Sequence, residues 1–245
     1  MIDDMILLKK KFEVIKKLGW VESQRRGTTG IGYTFEKLLG KEEEQFPIPD
    51  YGTIEIKTRF RNSKQNIGLF TAAPDGDYLF STKKMYDEYG FPDSKNPELK
   101  VFYAKIGSQF RYAGRNYQFR LHVDKNKQQI RIIALNKSGE FIDTKVSWTF
   151  DLIKEKINTK LKYLALVKAD SIFNIEKQYF KYYSLNFYIN KGFNTFINLL
   201  EYDIINVTFM IGVYRTGTKY GMMYNHGIRF DISENNLEKL FIKVI

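Results

Sequence analysis

All five prolines of this 245-residue chain lie between Pro47 and Pro97, and none follows. Proline lacks the backbone N–H that helices and sheets use, so it is confined to places that tolerate this loss. The stretch from residue 98 to the end is therefore predicted to be regular secondary structure with short turns. No repeat or low-complexity linker interrupts the chain. Residues 1–245 are thus expected to form a single compact domain, which at this length can contain two lobes.

Helical and alternating patterns occur in mixed order along the chain. Helices are predicted at 3–18, 33–39, 81–89, 151–162 and 193–202, and strands at 53–60, 117–123, 129–135, 163–168 and 204–214. A glycine-rich loop is predicted at 27–32 and a polar, glycine-containing loop at 215–225. Pro47 and Pro49 are expected to keep the chain extended before the strand at 53–60. This order predicts an α/β or α+β fold, with a mixed β-sheet flanked by helices.

Composition excludes several classes of protein and site. The chain is 43% hydrophobic and 16% aromatic, which excludes an intrinsically disordered chain. It has no cysteine, which excludes disulfides, zinc sites built on thiolates and a cysteine nucleophile. The two histidines, His122 and His226, are too few for a histidine-rich metal site. No run approaches eighteen apolar residues and no signal peptide is recognisable, so a cytoplasmic protein without a membrane partner is expected.

The chain carries a formal net charge of +11. Such an excess favours a polyanionic partner, because each phosphate that is neutralised releases a condensed counterion. Codon usage in an AT-rich genome, which favours lysine, also accounts for much of the excess. The charge therefore favours nucleic acid only modestly over other kinds of partner.

The most specific pattern is Asp50-x4-Glu55-Ile56-Lys57. Side chains two apart on a strand share a face, so Glu55 and Lys57 are expected to project together. Carboxylates can bind Mg²⁺, and a lysine can orient or deprotonate a water and offset the charge on a phosphate. The candidate metal-binding residues are Asp50, Glu55 and Ile56. Glu36, on the preceding helix, is a fourth candidate, for a metal-bound water or a second metal ion.

The same spacing recurs as Asp93-x4-Glu98-Leu99-Lys100, so spacing alone does not choose between the two copies. The second copy lies among prolines and has no helical glutamate ahead of it. A solvated strand face bearing mixed charges is the structural alternative for either copy. Context favours the copy that contains Asp50.

That context resembles the MvaI/BcnI family of type II restriction endonucleases, a branch of the PD-(D/E)xK nucleases related to the mismatch-repair nicking enzyme MutH. The resemblance is densest from Gly19 to Lys57 and weaker over the rest of the chain. Its residues are Gly19-Trp20, Arg25, Gly27, Thr29–Gly32, Thr34–Glu36, Asp50 and Glu55–Thr58, then Leu69–Thr71 with Pro74, Trp148–Asp151, Lys160–Tyr163 and His226-Gly227. The gap between Asp50 and Glu55 is shorter than in MutH-type enzymes, which favours the restriction branch.

The resemblance implies that Glu36, Asp50, Glu55 and Lys57 carry catalysis in a catalytic lobe. It also implies a Mg²⁺-dependent monomer that needs no protein partner and cuts double-stranded DNA one strand at a time. The expected target is a short CCNGG-like sequence, cut inside the site to leave 5′-phosphate ends.

The resemblance further implies a recognition lobe built largely from the C-terminal part, where basic and aromatic residues cluster among glycines. The candidate DNA-binding residues there are Tyr214, Arg215, Lys219, Tyr224, His226 and Arg229. Arg25, Arg26 and Arg61 are candidate phosphate contacts, which position a duplex without reading its sequence. For His226 and the arginines, an ordinary turn or solvated side chain is the alternative. The sequence departs from the family at Tyr224, where relatives have another histidine, and at Arg229, which is out of step.

Two other functions remain open at this point. A MutH-like strand-nicking repair nuclease or a junction resolvase would fail to cut both strands of linear duplex without partner proteins. A non-catalytic DNA-binding module would bind DNA without cleaving it in Mg²⁺.

Overall fold

The computed structural model describes residues 2–40, 49–76, 78–174 and 176–244, with only the backbone given at 78–80. Pro47, one of the residues expected to keep the chain extended, lies outside these ranges. The chain divides into two compact units, each assembled from separate segments. Unit 1 comprises Met1–Gln65, Ile157–Gly192 and Glu238–Ile245, and unit 2 comprises Asn66–Lys156 and Phe193–Leu237.

The described residues contain six helices and fourteen strands. The helices are α1 (Ile2–Lys17), α2 (Gly30–Leu38), α3 (Tyr78–Tyr89), α4 (Phe150–Lys160), α5 (Phe193–Glu201) and α6 (Leu237–Leu240), with a 3-10 turn at Glu234–Asn236. The strands are β1 (Val21–Glu22), β2 (Ile54–Phe60), β3 (Ile67–Thr71), β4 (Phe91–Pro92), β5 (Lys100–Ile106), β6 (Arg111–Ala113), β7 (Tyr117–Asp124), β8 (Gln129–Asn136), β9 (Phe141–Thr149), β10 (Tyr163–Asn174), β11 (Lys177–Asn190), β12 (Ile205–Val213), β13 (Met223–Ile232) and β14 (Phe241–Val244). None of these helices is both long and apolar enough to cross a membrane.

Unit 1 is built on a mixed sheet with the strand order β1-β11-β10-β2, and β14 pairs with β11. Strand β2 runs parallel to β10, whereas the other pairings are antiparallel. Apolar residues of α1 and α2, including Phe12 and Phe35, form one buried cluster with Ile54 and Ile56 of β2. Because this burial occupies one face of β2, the alternating residues Glu55 and Lys57 project from the other face.

Unit 2 contains two sheets. The first has the order β3-β13-β12-β5-β4, and the second is the four-stranded meander β6-β7-β8-β9. Their interior is rich in aromatic rings, and Phe102 lies 5.5 Å from both Phe119 and Phe209 between ring centroids. Trp148, which is fully buried, donates from its indole nitrogen to the carbonyl of Ala72 at 3.1 Å. This hydrogen bond offsets the cost of burying the indole N–H in the core.

The expected mixed α+β architecture, with a mixed sheet and flanking helices, is confirmed. The prediction of a loop across 27–32 was wrong in part, because α2 already begins at Gly30. A Cβ at Gly30 would lie 2.4 Å from the carbonyl oxygen of Arg25, and one at Gly32 would lie 3.1 Å from Thr58 Oγ1. These glycines therefore permit close packing of the helix start rather than a flexible loop.

The loop predicted at 215–225 is shorter than expected, because β13 begins at Met223. Two backbone hydrogen bonds close the connection: Tyr214 N–H donates to Met222 O and Gly221 N–H donates to Tyr214 O. Strand β11, of 14 residues, was not predicted. Apolar and polar residues do not alternate regularly along it, so the pattern lacked the period of two.

Candidate active site and recognition surface

Hydrogen bonds hold three of the four predicted catalytic residues at β2 in unit 1. Asp50 lies in the segment just before the strand, and its Oδ2 accepts a hydrogen bond from the backbone N–H of Ile56 at 2.9 Å. On the strand, Lys57 Nζ donates to Glu55 Oε1 at 2.6 Å. The alternation of the strand therefore places Glu55 and Lys57 side by side, as predicted, and the backbone bond holds Asp50 against the same strand.

Glu55 is a buried carboxylate with an incomplete set of hydrogen bonds. The residue is 5% exposed, and its Oε2 has no hydrogen-bond partner among the described residues. Burial raises the pKa of Glu55, the nearby Asp50 raises it further, and Lys57 lowers it. A buried oxygen without a donor is costly in a protein interior. A bound cation would supply the missing partner.

The donor set at this position fits a hard divalent cation. Glu55 and Asp50 supply carboxylate oxygens, and Ile56 can contribute only its backbone carbonyl. Among the described residues, no group of three or more histidine, cysteine, aspartate or glutamate side chains is arranged to hold a metal ion. Mg²⁺ needs fewer ligating side chains than this, because it binds through one or two carboxylates and keeps several of its waters.

Glu36 lies on α2 and lines a cleft of about 400 Å³ with Arg25, Gly32 and Thr58. Thr58 follows Lys57 on β2, so its side chain projects toward α2, on the face that also carries Ile56. Glu36 thus approaches β2 from the helix side, whereas Glu55 and Lys57 project from the opposite face. Its assignment to metal-bound water or a second metal ion stays a prediction.

The three predicted phosphate-contacting arginines of unit 1 differ in their surroundings. The guanidinium of Arg25 lies 3.8 Å above the ring centroid of Tyr33, and Arg26 beside it is exposed. Arg61 forms an ion pair with Asp170 at 2.8 Å and stacks 4.0 Å above the ring of Tyr183. Arg26 and Arg61 are therefore both accessible to a phosphate, although Arg61 already pairs with Asp170.

The second copy of the Asp-x4-Glu-x-Lys spacing lies in unit 2, and its carboxylates are engaged by protein groups. Asp93 is 3% exposed and accepts two hydrogen bonds from Arg215, at 3.0 and 2.5 Å. Glu98 accepts one from the hydroxyl of Tyr220 at 2.9 Å. Lys100 donates to the backbone oxygen of Asp87 at 3.1 Å. This engagement favours the copy that contains Asp50 as the metal-binding one.

In unit 2, the predicted recognition residues surround the β12–β13 hairpin. Tyr214 packs against Tyr224, with ring centroids 5.0 Å apart, and the ammonium of Lys219 lies 5.5 Å from the Tyr214 ring. Arg215 differs from the others, because its guanidinium is committed to Asp93. It is therefore less available to DNA than the sequence suggested.

His226 and Arg229 follow on β13. The ring of His226 is exposed and lies 4.8 Å from that of Tyr224. It sits where the pairing of β12 with β13 shifts register between Phe209 and Ile211, and such bulges re-aim side chains. Arg229 Nε donates to the buried Asp231 at 2.5 Å, and its side chain is 36% exposed. Asp231 therefore orients the guanidinium of Arg229, which remains accessible to solvent.

Two residues near these sites were missed by the reasoning from sequence. Lys160, at the end of α4, acts electrostatically on Glu55, and the only signal for it was its place in the weaker part of the family resemblance. Tyr103 on β5 places its hydroxyl 3.3 Å from that of Tyr224. No pattern in the sequence marked Tyr103, because its partner lies 121 residues away.

Comparison with known proteins finds matches that cover nearly the whole chain. Residues 9–241 match the model of the MvaI/BcnI restriction endonuclease family. A solved structure described as the complex of restriction endonuclease MvaI with cognate DNA substrate is 32% identical, with a TM-score of 0.88, and the match covers 97% of this chain and 96% of that one. A structure of MvaI in the absence of DNA is 31% identical, with a TM-score of 0.62, covering 100% and 98%. Curated proteins give no significant match.

The family match spans both the strand that carries Glu55 and Lys57 and the hairpin that carries Tyr224 and His226. It therefore does not rest on one isolated motif or on one of the two units. The chain belongs to the MvaI/BcnI restriction endonuclease family.

Proposed function

We propose that the protein uses Mg²⁺ at Asp50, Glu55 and Ile56 to hydrolyse double-stranded DNA at a short CCNGG-like site. As a family member, the chain is a type II restriction endonuclease, and such enzymes generally use a divalent metal ion. The observation that carries the choice of site is the buried Glu55 carboxylate, whose Oε2 has no protein partner among the described residues. We further propose that the enzyme acts as a monomer in the cytoplasm.

The proposed roles follow from the contacts around β2. When bound, Mg²⁺ supplies a Lewis acid that polarises a phosphate oxygen. The backbone N–H of Ile56 holds the Asp50 carboxylate in place, so that the carboxylates of Asp50 and Glu55 are positioned before the cation binds. Lys57, whose position is fixed by Glu55, orients the attacking water and offsets the negative charge that develops on the phosphate. Glu36 is assigned to a water or a second cation from the helix side.

Binding of duplex DNA is supported by the comparison and by charge. The MvaI structure with a TM-score of 0.88 is a complex with cognate DNA substrate, and this chain carries a net charge of +11. We propose that Arg25, Arg26 and Arg61 contact phosphates, and that Tyr214, Lys219, Tyr224, His226 and Arg229 contact the duplex from unit 2. Arg215 is assigned a supporting position because Asp93 holds its guanidinium.

The test is digestion of unmethylated plasmid and phage DNA by the purified protein, with Mg²⁺ and with EDTA. The wild-type protein is expected to give discrete fragments only with Mg²⁺, and sequencing their ends gives the target and the cut position. Lys57→Ala is expected to lower the cleavage rate by at least ~100-fold, since it removes a group that acts on the attacking water. DNA binding by this variant should be retained.

The matched control is Lys243→Ala, because Lys243 is an exposed lysine on β14 of the same unit. It should cleave like the wild-type protein. Equal cleavage by Lys57→Ala and Lys243→Ala would overturn the assignment of Lys57. DNA binding without any cleavage in Mg²⁺ would overturn the proposed reaction, and nicking of one strand alone would point to the repair-nuclease alternative.

A further inference from the structure

Two tyrosines of unit 2 converge above a glycine on the sheet that also carries His226. Tyr103 on β5 pairs with Met210 of β12, and Gly212, two residues along β12, pairs with Tyr224 of β13. Residues two apart on a strand share a face, so both tyrosines lie on the face of Gly212. Their hydroxyl oxygens are 3.3 Å apart.

Gly212 is what allows this convergence. A Cβ at this position would lie 2.3 Å from the hydroxyl oxygen of Tyr103 and 2.4 Å from Cζ of Tyr224. Contacts this short do not occur between real atoms, so any side chain at position 212 would push the ends of both tyrosines away. The pair of hydroxyls therefore depends on the one residue type that has no Cβ.

An ion pair with a buried carboxylate neighbours the same two tyrosines. Arg215 forms a two-pronged contact with Asp93, whose Oδ1 also accepts the backbone N–H groups of Lys95 and Asn96 at 3.0 Å each. The Arg215 side chain also interacts with the Tyr103 hydroxyl. Asp93 is 3% exposed and the Arg215 side chain is 32% exposed, so a buried carboxylate holds a partly exposed guanidinium in one orientation.

We propose that the hydroxyl pair of Tyr103 and Tyr224 is a specificity element that contacts base edges of the target duplex, with Arg215 and Asp93 as positioning residues. The inference rests on the proposed function, since it assumes a DNA substrate. It adds Tyr103, a residue of β5, to a recognition surface otherwise drawn from the C-terminal part. It also gives Arg215 a supporting role in place of direct contact.

The chemistry of the pair suits base readout. A tyrosine hydroxyl is both donor and acceptor, so one hydroxyl can donate to the other while one O–H and several lone pairs remain available. The edges of base pairs in the major groove present donors and acceptors in patterns that differ between base pairs. Tyr103 is 39% exposed, so the pair is accessible without binding-induced unfolding.

Charge around the pair favours a polyanion over another protein as the ligand. Lys105 lies two residues from Tyr103 on β5 and is exposed. Lys219 lies against Tyr214, whose ring contacts that of Tyr224. The carboxylate of Asp93 is neutralised by Arg215. Lys105 and Lys219 therefore place accessible positive charge near the hydroxyls, while the exposed Glu98 of the same region is bonded to Tyr220.

The experiment is selection of bound duplexes from a randomised DNA pool by the full-length protein, followed by sequencing. The variants are Tyr103→Phe and Tyr224→Phe, each of which removes one hydroxyl and keeps the ring. Both are expected to lower the preference at the same one or two base-pair positions by about 5- to 10-fold, the effect of losing one hydrogen bond. Preferences at the other positions should not change.

Two further variants test the positioning. Gly212→Ala should relax the same positions, because the added methyl group displaces both tyrosine ends. Asp93→Asn should do so as well, and in combination with Tyr103→Phe its effect should not add. The matched control is Tyr112→Phe, since Tyr112 is a tyrosine of unit 2 that is 66% exposed on β6.

The outcomes separate this inference from the proposed function. The inference is overturned if Tyr103→Phe and Tyr224→Phe select the same sequences as the wild-type protein, or if the wild-type protein selects none. If Asp93→Asn fails to fold, the Gly212→Ala and tyrosine variants still decide the question. Digestion in Mg²⁺ is run in parallel, and its failure overturns the nuclease proposal without affecting the result of the selection.

Discussion

At the scale of single residues, Glu55 combines burial, a neighbouring cation and an oxygen without a protein partner. Burial raises its pKa, and the ion pair with Lys57 and the charge of Lys160 oppose this effect. In the protein without metal, the ionised carboxylate is thus less well solvated than in the unfolded chain. A site that binds a cation is expected to carry such a cost, because the same incompletely bonded oxygen gives the cation its affinity.

Glu55→Gln is expected to change stability in opposite directions with and without metal. The raised pKa means that the folded protein holds the proton of Glu55 more tightly than the unfolded chain. The corresponding stability is present below the ordinary pKa of glutamate and is lost as the pH rises through the raised value. In EDTA, the melting temperature of Glu55→Gln relative to wild type should therefore increase from acidic to neutral pH.

With Mg²⁺ at neutral pH, the melting temperature of Glu55→Gln should instead lie below that of the wild-type protein. A cation that binds only the native state stabilises it, and Glu55→Gln removes one of its proposed ligands. The measurement is the melting temperature with EDTA and with Mg²⁺ across the pH range, and the control is Glu13→Gln, since Glu13 is exposed on α1. A difference between Glu55→Gln and wild type that is independent of both pH and Mg²⁺ would exclude Glu55 from the metal site.

At the scale of elements, the start of α2 is held in place by close contacts. The hydroxyl of Tyr182 on β11 donates to the carbonyl of Ile31 at 2.7 Å. Gly30 lies so near the backbone of Arg25 that no side chain fits between them. The position of α2 sets the positions of both Arg25 and Glu36. The packing of one helix terminus therefore bears on two proposed site residues.

Gly30→Ala is expected to lower the free energy of unfolding by about 1–3 kcal/mol, the usual cost of inserting a group into a packed region. The backbone at Arg25 cannot move aside as the end of a flexible side chain could. DNA binding should weaken as well, since Arg25 is displaced. Chemical denaturation and DNA titration measure the two effects.

Lys37→Ala serves as the control for this prediction, because Lys37 is an exposed residue of the same helix. Its change in stability should stay within about 0.5 kcal/mol. If Gly30→Ala is as stable as Lys37→Ala, the glycine is not required for packing at the start of α2.

At the scale of the whole molecule, the net charge of +11 predicts a strong dependence of DNA binding on salt. If Arg25, Arg26 and Arg61 each neutralise one phosphate, the association constant should fall by at least ~40-fold between about 50 and 200 mM salt. Arg26→Ala should reduce the slope of log K against log salt by about one, whereas Lys243→Ala should leave it unchanged. Affinity that does not vary with salt would contradict phosphate contacts by these arginines.

Much of the fold could be predicted where short-range periodicity is strong. The alternation around Ile54 and Ile56 predicted β2 and the common face of Glu55 and Lys57, and both are observed. Strand β11 and the early start of α2 were not predicted. The irregular pattern of β11 reflects burial in a sheet between β1 and β10, and the start of α2 at Gly30 depends on packing against distant residues. The resemblance along the chain indicated the family, which the comparisons confirm.

The sequence by itself determined the local geometry of the site, because the period of a strand decides which neighbouring side chains share a face. It also determined the net charge and the oxygen donors that Mg²⁺ prefers. Sequence context already favoured the Asp-x4-Glu-x-Lys copy that contains Asp50, but only the tertiary structure engages Asp93 with Arg215 and leaves Glu55 Oε2 without a partner among the described residues. It alone brought Tyr103 to Tyr224. Burial and contacts between residues more than a hundred positions apart arise from chain packing, and no local pattern encodes them.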